Sequence, residues 1–228
     1  MLGLLLPLVL ASVVGALWVG STAGLQRTRI QWWPLAVGSI GVQLVLYNPP
    51  IDHQPWALTL GPWIWVASLV GLAAVCIRNG LLKAPARGAF CLAALGICLN
   101  VFVVVANGGF MPQSPEARLA AKGVPLIAEG AAPQLRNVAP SSPDTHFAWL
   151  GDIIPQPRWL PTANVVSIGD MLLSAALAWW AFQVLVAGRP GVGWFGLLNA
   201  DRSLRAAHPK IRTGQLNRGA RATHSRGP

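Results

Sequence analysis

"NVVSIGDMLLSAALAWWAFQVLVAG", residues 164–188, decides how the rest of the chain is read. From Met171 to Val186 it holds only apolar or small residues apart from Ser174 and Gln183. A hydrocarbon layer about 30 Å thick takes about 20 helical residues at about 1.5 Å rise each, and this run is long enough. Yet an aspartate, Asp170, stands at its front edge. A carboxylate in that place is either a helix cap or a group that does chemistry.

The composition supports the membrane reading of this run. Of 228 residues, 54% are hydrophobic and 11% charged, and the mean hydropathy is +0.51. A soluble domain carries about a quarter charged residues. Four further apolar runs lie at residues 2–20, 31–48, 62–77 and 88–106. The second opens on Trp32–Trp33 and the third on Trp63 and Trp65, where an amphipathic indole suits headgroup depth. The first run has no Lys or Arg before Arg27, so it reads as a span and not as a cleaved signal peptide, which would start with a basic segment. The expectation is an all-α integral membrane bundle of five transmembrane helices over residues 1–188.

Lys and Arg set the orientation, because they resist translocation. Thirteen lie in the connections after the first and third runs and in the tail beyond the fifth; four, Arg118, Lys122, Arg136 and Arg158, lie in the long fourth connection. The N-terminus is therefore expected outside and the C-terminus in the cytoplasm. The tail, residues 189–228, is basic and poor in apolar residues after about residue 200, and is expected to be disordered. Its natural partner is the anionic headgroup surface. No aromatic residues interleave with its cations, so no specific nucleic acid is expected. "GWFGLLNADRSL" at its start suits a short interfacial helix anchored by Trp194 and Phe195. Residues 108–163 form the one sizeable outer loop. It is rich in Pro, Ala and Gly, and "SPEARLAAKG" can make a short helix capped by Ser114.

Asp170 has two readings. "SIGD" has a hydroxyl residue followed three positions later by an acid, just ahead of an apolar run. Ser167 would then be the N-cap and Asp170 the residue whose carboxylate reaches back. The competing reading gives it a partner. "FAWLGDIIPQPRWLP" sets Asp152 amid apolar residues suited to the headgroup layer, and its prolines return the chain to the last helix. Two neighbouring carboxyls that share a proton can activate water, so Asp152 and Asp170 are candidate catalytic residues. Asn100 and Asn107 lie seven apart on one helix face, as helix-packing residues or as orienting groups for a carboxylate. The helix stops at Asn107: Gly108 and Gly109 permit left-handed backbone and Pro112 prevents resumption.

Three of these segments carry a resemblance. "NGGFMP" at 107–112, "LGDIIP" at 150–155 and "VSIGD" at 166–170 resemble, in this order, a bacterial family of small membrane proteins known as domain of unknown function 5317. The likeness spans roughly residues 1–188. It implies a multi-pass protein of the bacterial cell (inner) membrane with a shared polar outer surface, and no established activity. A fainter likeness is to lipoprotein signal peptidase, a membrane aspartyl protease whose second aspartate opens its last helix, as Asp170 does here. That family's first aspartate is followed by arginine, whereas Asp152 is followed by Ile153.

Other chemistry has little footing. Asp52–His53 and Asp144–His146 lack the spacing of metal ligands, and no metal or cofactor is expected. Cys76, Cys91 and Cys98 all fall in apolar runs and read as buried structural residues. Each polar residue has an adequate structural use. The leading expectation is thus a non-enzymatic structural or interaction component of the cell envelope, with unidentified membrane-protein partners. The rival is a hydrolase or peptidase acting at the outer membrane surface through Asp152 and Asp170.

Overall fold

The computed structural model describes Val14 and residues 29–82, 86–126, 136–160 and 163–186. The span expected at 2–20, apart from the helical Val14, lies outside the described residues, as do the tail 189–228 and the short helix expected near Trp194. Five helices are described: α1 Trp33–Leu46, α2 Pro55–Gly80, α3 Arg87–Ala106, α4 Pro115–Lys122 and α5 Ile168–Val186. Two of them, α2 and α3, are long and apolar enough to cross a membrane. α1 and the Ile168–Val184 part of α5 are apolar but shorter.

α2 begins at Pro55, ahead of the expected start at Pro62. Pro55 takes the first turn, where no N–H is needed, and Pro62 is carried inside the helix and buried. A Cβ on Gly109 would lie 2.6 Å from the Pro62 side chain, so the end of α3 closes directly onto this proline. Gly108 and Gly109 adopt φ of 70° and 95°, the left-handed turn that ends α3 after Ala106.

The bundle packs in the spatial order α1, α2, α3, α5. Trp65, Leu69 and Ala73 of α2 meet Ile97, Val103 and Val104 of α3, with Leu46, Met111 and Leu150 closing the core at the loop end. α3 and α5 are antiparallel and very close. A Cβ on Gly96 would lie 2.5 Å from the Gly169 carbonyl oxygen, and near the other end of the pair a Cβ on Gly88 would strike the Trp179 ring at 2.4 Å. At the far end of α2, the buried Asn79 side chain exchanges two hydrogen bonds of 2.9 Å with the backbone of Gln31.

The long connection is more ordered than its composition implies. Beyond the first turn of α4, which Pro115 opens, its prolines interrupt helical pairing, and backbone removed from water must still be paired. It therefore forms short strands: β1 Met111–Gln113 runs parallel to β2 Val138–Pro140, and β3 Ile154–Pro155 antiparallel to β4 Val165–Val166. α4 forms where "SPEARLAAKG" predicts it, with Ser114 Oγ accepting from Ala117 N at 3.1 Å and Gly123 left-handed at its end. The described chain is thus mostly helical with two small sheets in one loop. One expectation on packing is corrected: Cys76 is half-buried, while Cys91 and Cys98 are exposed on α3, Cys91 because it meets only the end of α2, where its Sγ donates to the Gly80 carbonyl oxygen at 3.7 Å.

Candidate functional site

The start of α5 shows why "SIGD" has this order. Asp170 N donates to Ser167 Oγ at 3.0 Å, and Ser167 N donates back to Asp170 Oδ2 at 3.4 Å, the reciprocal pair of a capping box. Asn100, buried in the middle of α3, adds what the pattern alone does not contain. Its Nδ2 donates to Asp170 Oδ1 at 2.8 Å, and its Oδ1 accepts from Ser167 Oγ at 2.9 Å. Both ends of one amide are satisfied by the cap of a neighbouring helix. Gly169 lies between them: a Cβ there would be 2.1 Å from Asn100 Oδ1.

Asp152 is held differently, by backbone. Its N–H donates to Pro112 O at 2.8 Å and its carbonyl accepts from Ser114 N at 2.9 Å, so residue 152 extends the β1–β2 sheet on the free edge of β1. Gly151 makes room for this, since a Cβ there would fall 2.4 Å from Pro112 O. The carboxylate accepts one side-chain hydrogen bond, from Gln113 Nε2 at 3.3 Å. Gln113 is itself only 2% exposed and its Oε1 has no partner.

Asp152 and Asp170 line one polar cavity of about 200 Å³, together with Gln113, Trp65 and the cations Arg118 and Lys122 of α4. Asp152 is buried, and its carboxyl is lifted from the usual 3.8 to about 7, first by burial and then by the charge of Asp170, with the Gln113 hydrogen bond working against the rise. The two acids thus share a space and feel one another, but their surroundings are unequal.

Asn107 serves elsewhere. Its Nδ2 donates to Val103 O and to His146 O, both at 2.8 Å, and its Oδ1 accepts from His146 N at 3.0 Å. It fastens the loop back to the end of α3, while the amides that touch the acids are Asn100 and Gln113. Gln113 was not legible as a site residue: it follows Pro112 in a stretch without helical or strand periodicity, and only the pairing of β1 with Asp152 reveals it. Arg158, adjacent to the loop acids in sequence, donates through Nε to Ala120 O at 2.8 Å and through Nη2 to Leu119 O, capping the C-terminus of α4. Asp52, fully buried, contacts His53 Nδ1 at 2.6 Å, and no cluster of three or more His, Cys, Asp or Glu able to hold a metal occurs among the described residues.

The three quoted motifs therefore meet. "NGGFMP" ends α3 on Pro62 and supplies Pro112 to Asp152; "LGDIIP" carries Asp152; "VSIGD" carries the cap and Asp170. No curated protein and no solved structure matches the chain. A family model does, over residues 27–182, a stretch that contains all three motifs. On that match the chain belongs to the family of unknown function DUF5317.

Proposed function

We propose that this protein crosses the bacterial cell membrane five times, with the N-terminus outside and the basic tail against the anionic inner leaflet, and that its outer cavity hydrolyses an acyl bond through Asp152 and Asp170. The observation that carries the hydrolytic reading is the pair of carboxyls lining one cavity in unequal environments. Such asymmetry divides acid from base. Asp152, with its proton held up to about pH 7, is the acid that protonates the leaving group. Asp170 is the base. Two of its four lone-pair sites are used by Asn100 and Ser167, and it takes the proton from the water that adds to the carbonyl carbon. Asn100 and Gln113 are positioning residues, each holding one carboxylate.

The membrane part rests on α2 and α3, on the apolar run 2–20 and on the asymmetry of Lys and Arg. A Ser203→Cys protein in which Cys76, Cys91 and Cys98 are replaced by alanine is expected to react with a membrane-impermeant thiol reagent only after the cells are opened. Labelling of intact cells at that position reverses the assignment of sides.

A second reading is favoured by one specific observation: both carboxylate oxygens of Asp170 are bonded, Oδ1 to Asn100 of α3 and Oδ2 to the Ser167 cap, which ties α5 to α3. On it the protein is a non-enzymatic envelope component whose acids are structural. A library of internally quenched peptides and esters, presented to the protein in lipid nanodiscs, separates the two. Hydrolysis is expected with wild type and is expected to fall by about 10²-fold or more in both Asp152→Asn and Asp170→Asn, with helicity retained in at least Asp152→Asn. No turnover by wild type, or turnover undiminished in a folded Asp152→Asn protein, leaves the structural reading.

A further inference from the structure

Beside the polar cavity lies a second hollow, and the two share a wall. It has a volume of about 220 Å³ and is lined by Pro115, Leu119, Pro125, Leu126 and Pro140, with Gln113 and Arg118 common to both. Among the described residues, every one that lines it falls between positions 113 and 140, in the long loop, and none comes from α1, α2, α3 or α5.

The shared wall is short of partners. Gln113 is buried with its Oε1 unbonded, and Arg118 Nε is buried with no partner. Arg118 and Lys122 stand four apart, on one face of α4, and neither makes an ion pair among the described residues. Arg136 stands close enough to disfavour the charge on Arg118, as Arg118 does that on Lys122; in both cases burial acts first in the same direction. Arg118 and Lys122 share the cavity with Asp152 and Asp170, and Arg136 adds a third cation beside them, so the wall carries an excess of positive charge that attracts an anion. An apolar slot opening next to that anion site wants a side chain such as leucine.

Accepting the hydrolytic reading of the cavity, we propose that the occupant is a peptide segment in which an apolar residue adjoins a carboxylate. The apolar side chain fills the slot between Leu119, Leu126 and Pro140. The carboxylate pairs with Arg118 and Lys122, and the unbonded Gln113 Oε1 accepts a backbone N–H. The neighbouring peptide bond then enters the adjoining cavity, which Asp152 and Asp170 line. Arg118 and Lys122 are then specificity-determining residues.

Binding tests this separately from turnover. Fluorescence anisotropy with a fluorescein-labelled peptide containing Leu-Glu and its Leu-Gln counterpart, on protein in uncharged nanodiscs, is expected to show at least a tenfold preference for the acid. Arg118→Gln and Lys122→Gln are each expected to remove most of that preference. Equal affinity for the two peptides overturns the proposal, as does a preference indifferent to both cation variants. Displacement of the bound acidic peptide by phosphatidylglycerol nanodiscs, at lipid levels where phosphatidylcholine nanodiscs do nothing, assigns the cations to a lipid headgroup and overturns it as well. Selective binding without hydrolysis removes the enzymatic reading and leaves the peptide site standing.

Discussion

The Asp152→Asn protein is expected to be more stable than wild type above pH 7 and no more stable near pH 4. The carboxyl of Asp152 is lifted from 3.8 to about 7, first by burial and then by Asp170. In the folded protein it keeps its proton over a range in which the unfolded chain has lost it. Between those two values the native state binds more protons than the unfolded one, so stability falls as pH rises and is lowest above about 7. A displacement of this size corresponds to roughly 4 kcal/mol at most. Asparagine has nearly the same shape, carries no charge and still offers an oxygen to Gln113 Nε2. It removes the penalty where the penalty exists and changes nothing where Asp152 is protonated in both states. Melting curves in detergent at pH 4, 6 and 8 are expected to diverge progressively. At pH 8 the variant should gain about 2–4 kcal/mol, which for a chain of this length is a rise of several degrees. Equal melting temperatures across the series would mean that Asp152 is not buried beside a second acid as described.

Gly169→Ala is expected to cost about 3 kcal/mol, the upper end of the range for overpacking. The added Cβ would sit 2.1 Å from Asn100 Oδ1 and 2.5 Å from the Gly96 carbonyl oxygen. Neither atom can retreat. The Gly96 carbonyl is part of the α3 backbone, and Asn100 Oδ1 is engaged with Ser167 Oγ. Relief comes only by parting α3 from α5, which breaks the Asn100–Asp170 hydrogen bond and leaves buried polar groups unpaired. Gly41→Ala in α1 is the matched control. Nothing lies within 4 Å of a Cβ there, and alanine in place of a helical glycine is expected to stabilise by up to about 1 kcal/mol. Opposite signs for the two substitutions in one unfolding assay are the expected result. A Gly169→Ala protein as stable as wild type would show that the helices do not approach as described.

The sequence determined the helices and the cap without help from the fold. The length of the apolar runs marks α1, α2, α3 and α5, since a helix of apolar residues satisfies its own backbone and needs no distant partner to be recognised. "SIGD" declares Ser167 and Asp170 as a reciprocal pair for the same reason, its bonds spanning three residues, and "NGG" ends α3 because left-handed backbone is a property of those residues alone. What only the tertiary structure decided are contacts made across long intervals of chain. Asn100 and Asp170 are 70 positions apart, and Gln113 and Asp152 are 39. Nothing local distinguishes an asparagine that meets a helix cap from Asn107, which holds His146 instead. The shared cavity, the unequal surroundings of the two acids and the cations that face them come from how the loop folds over the end of the bundle. Proline and glycine in that loop set where the backbone can turn, but which edges then pair depends on the whole bundle beneath.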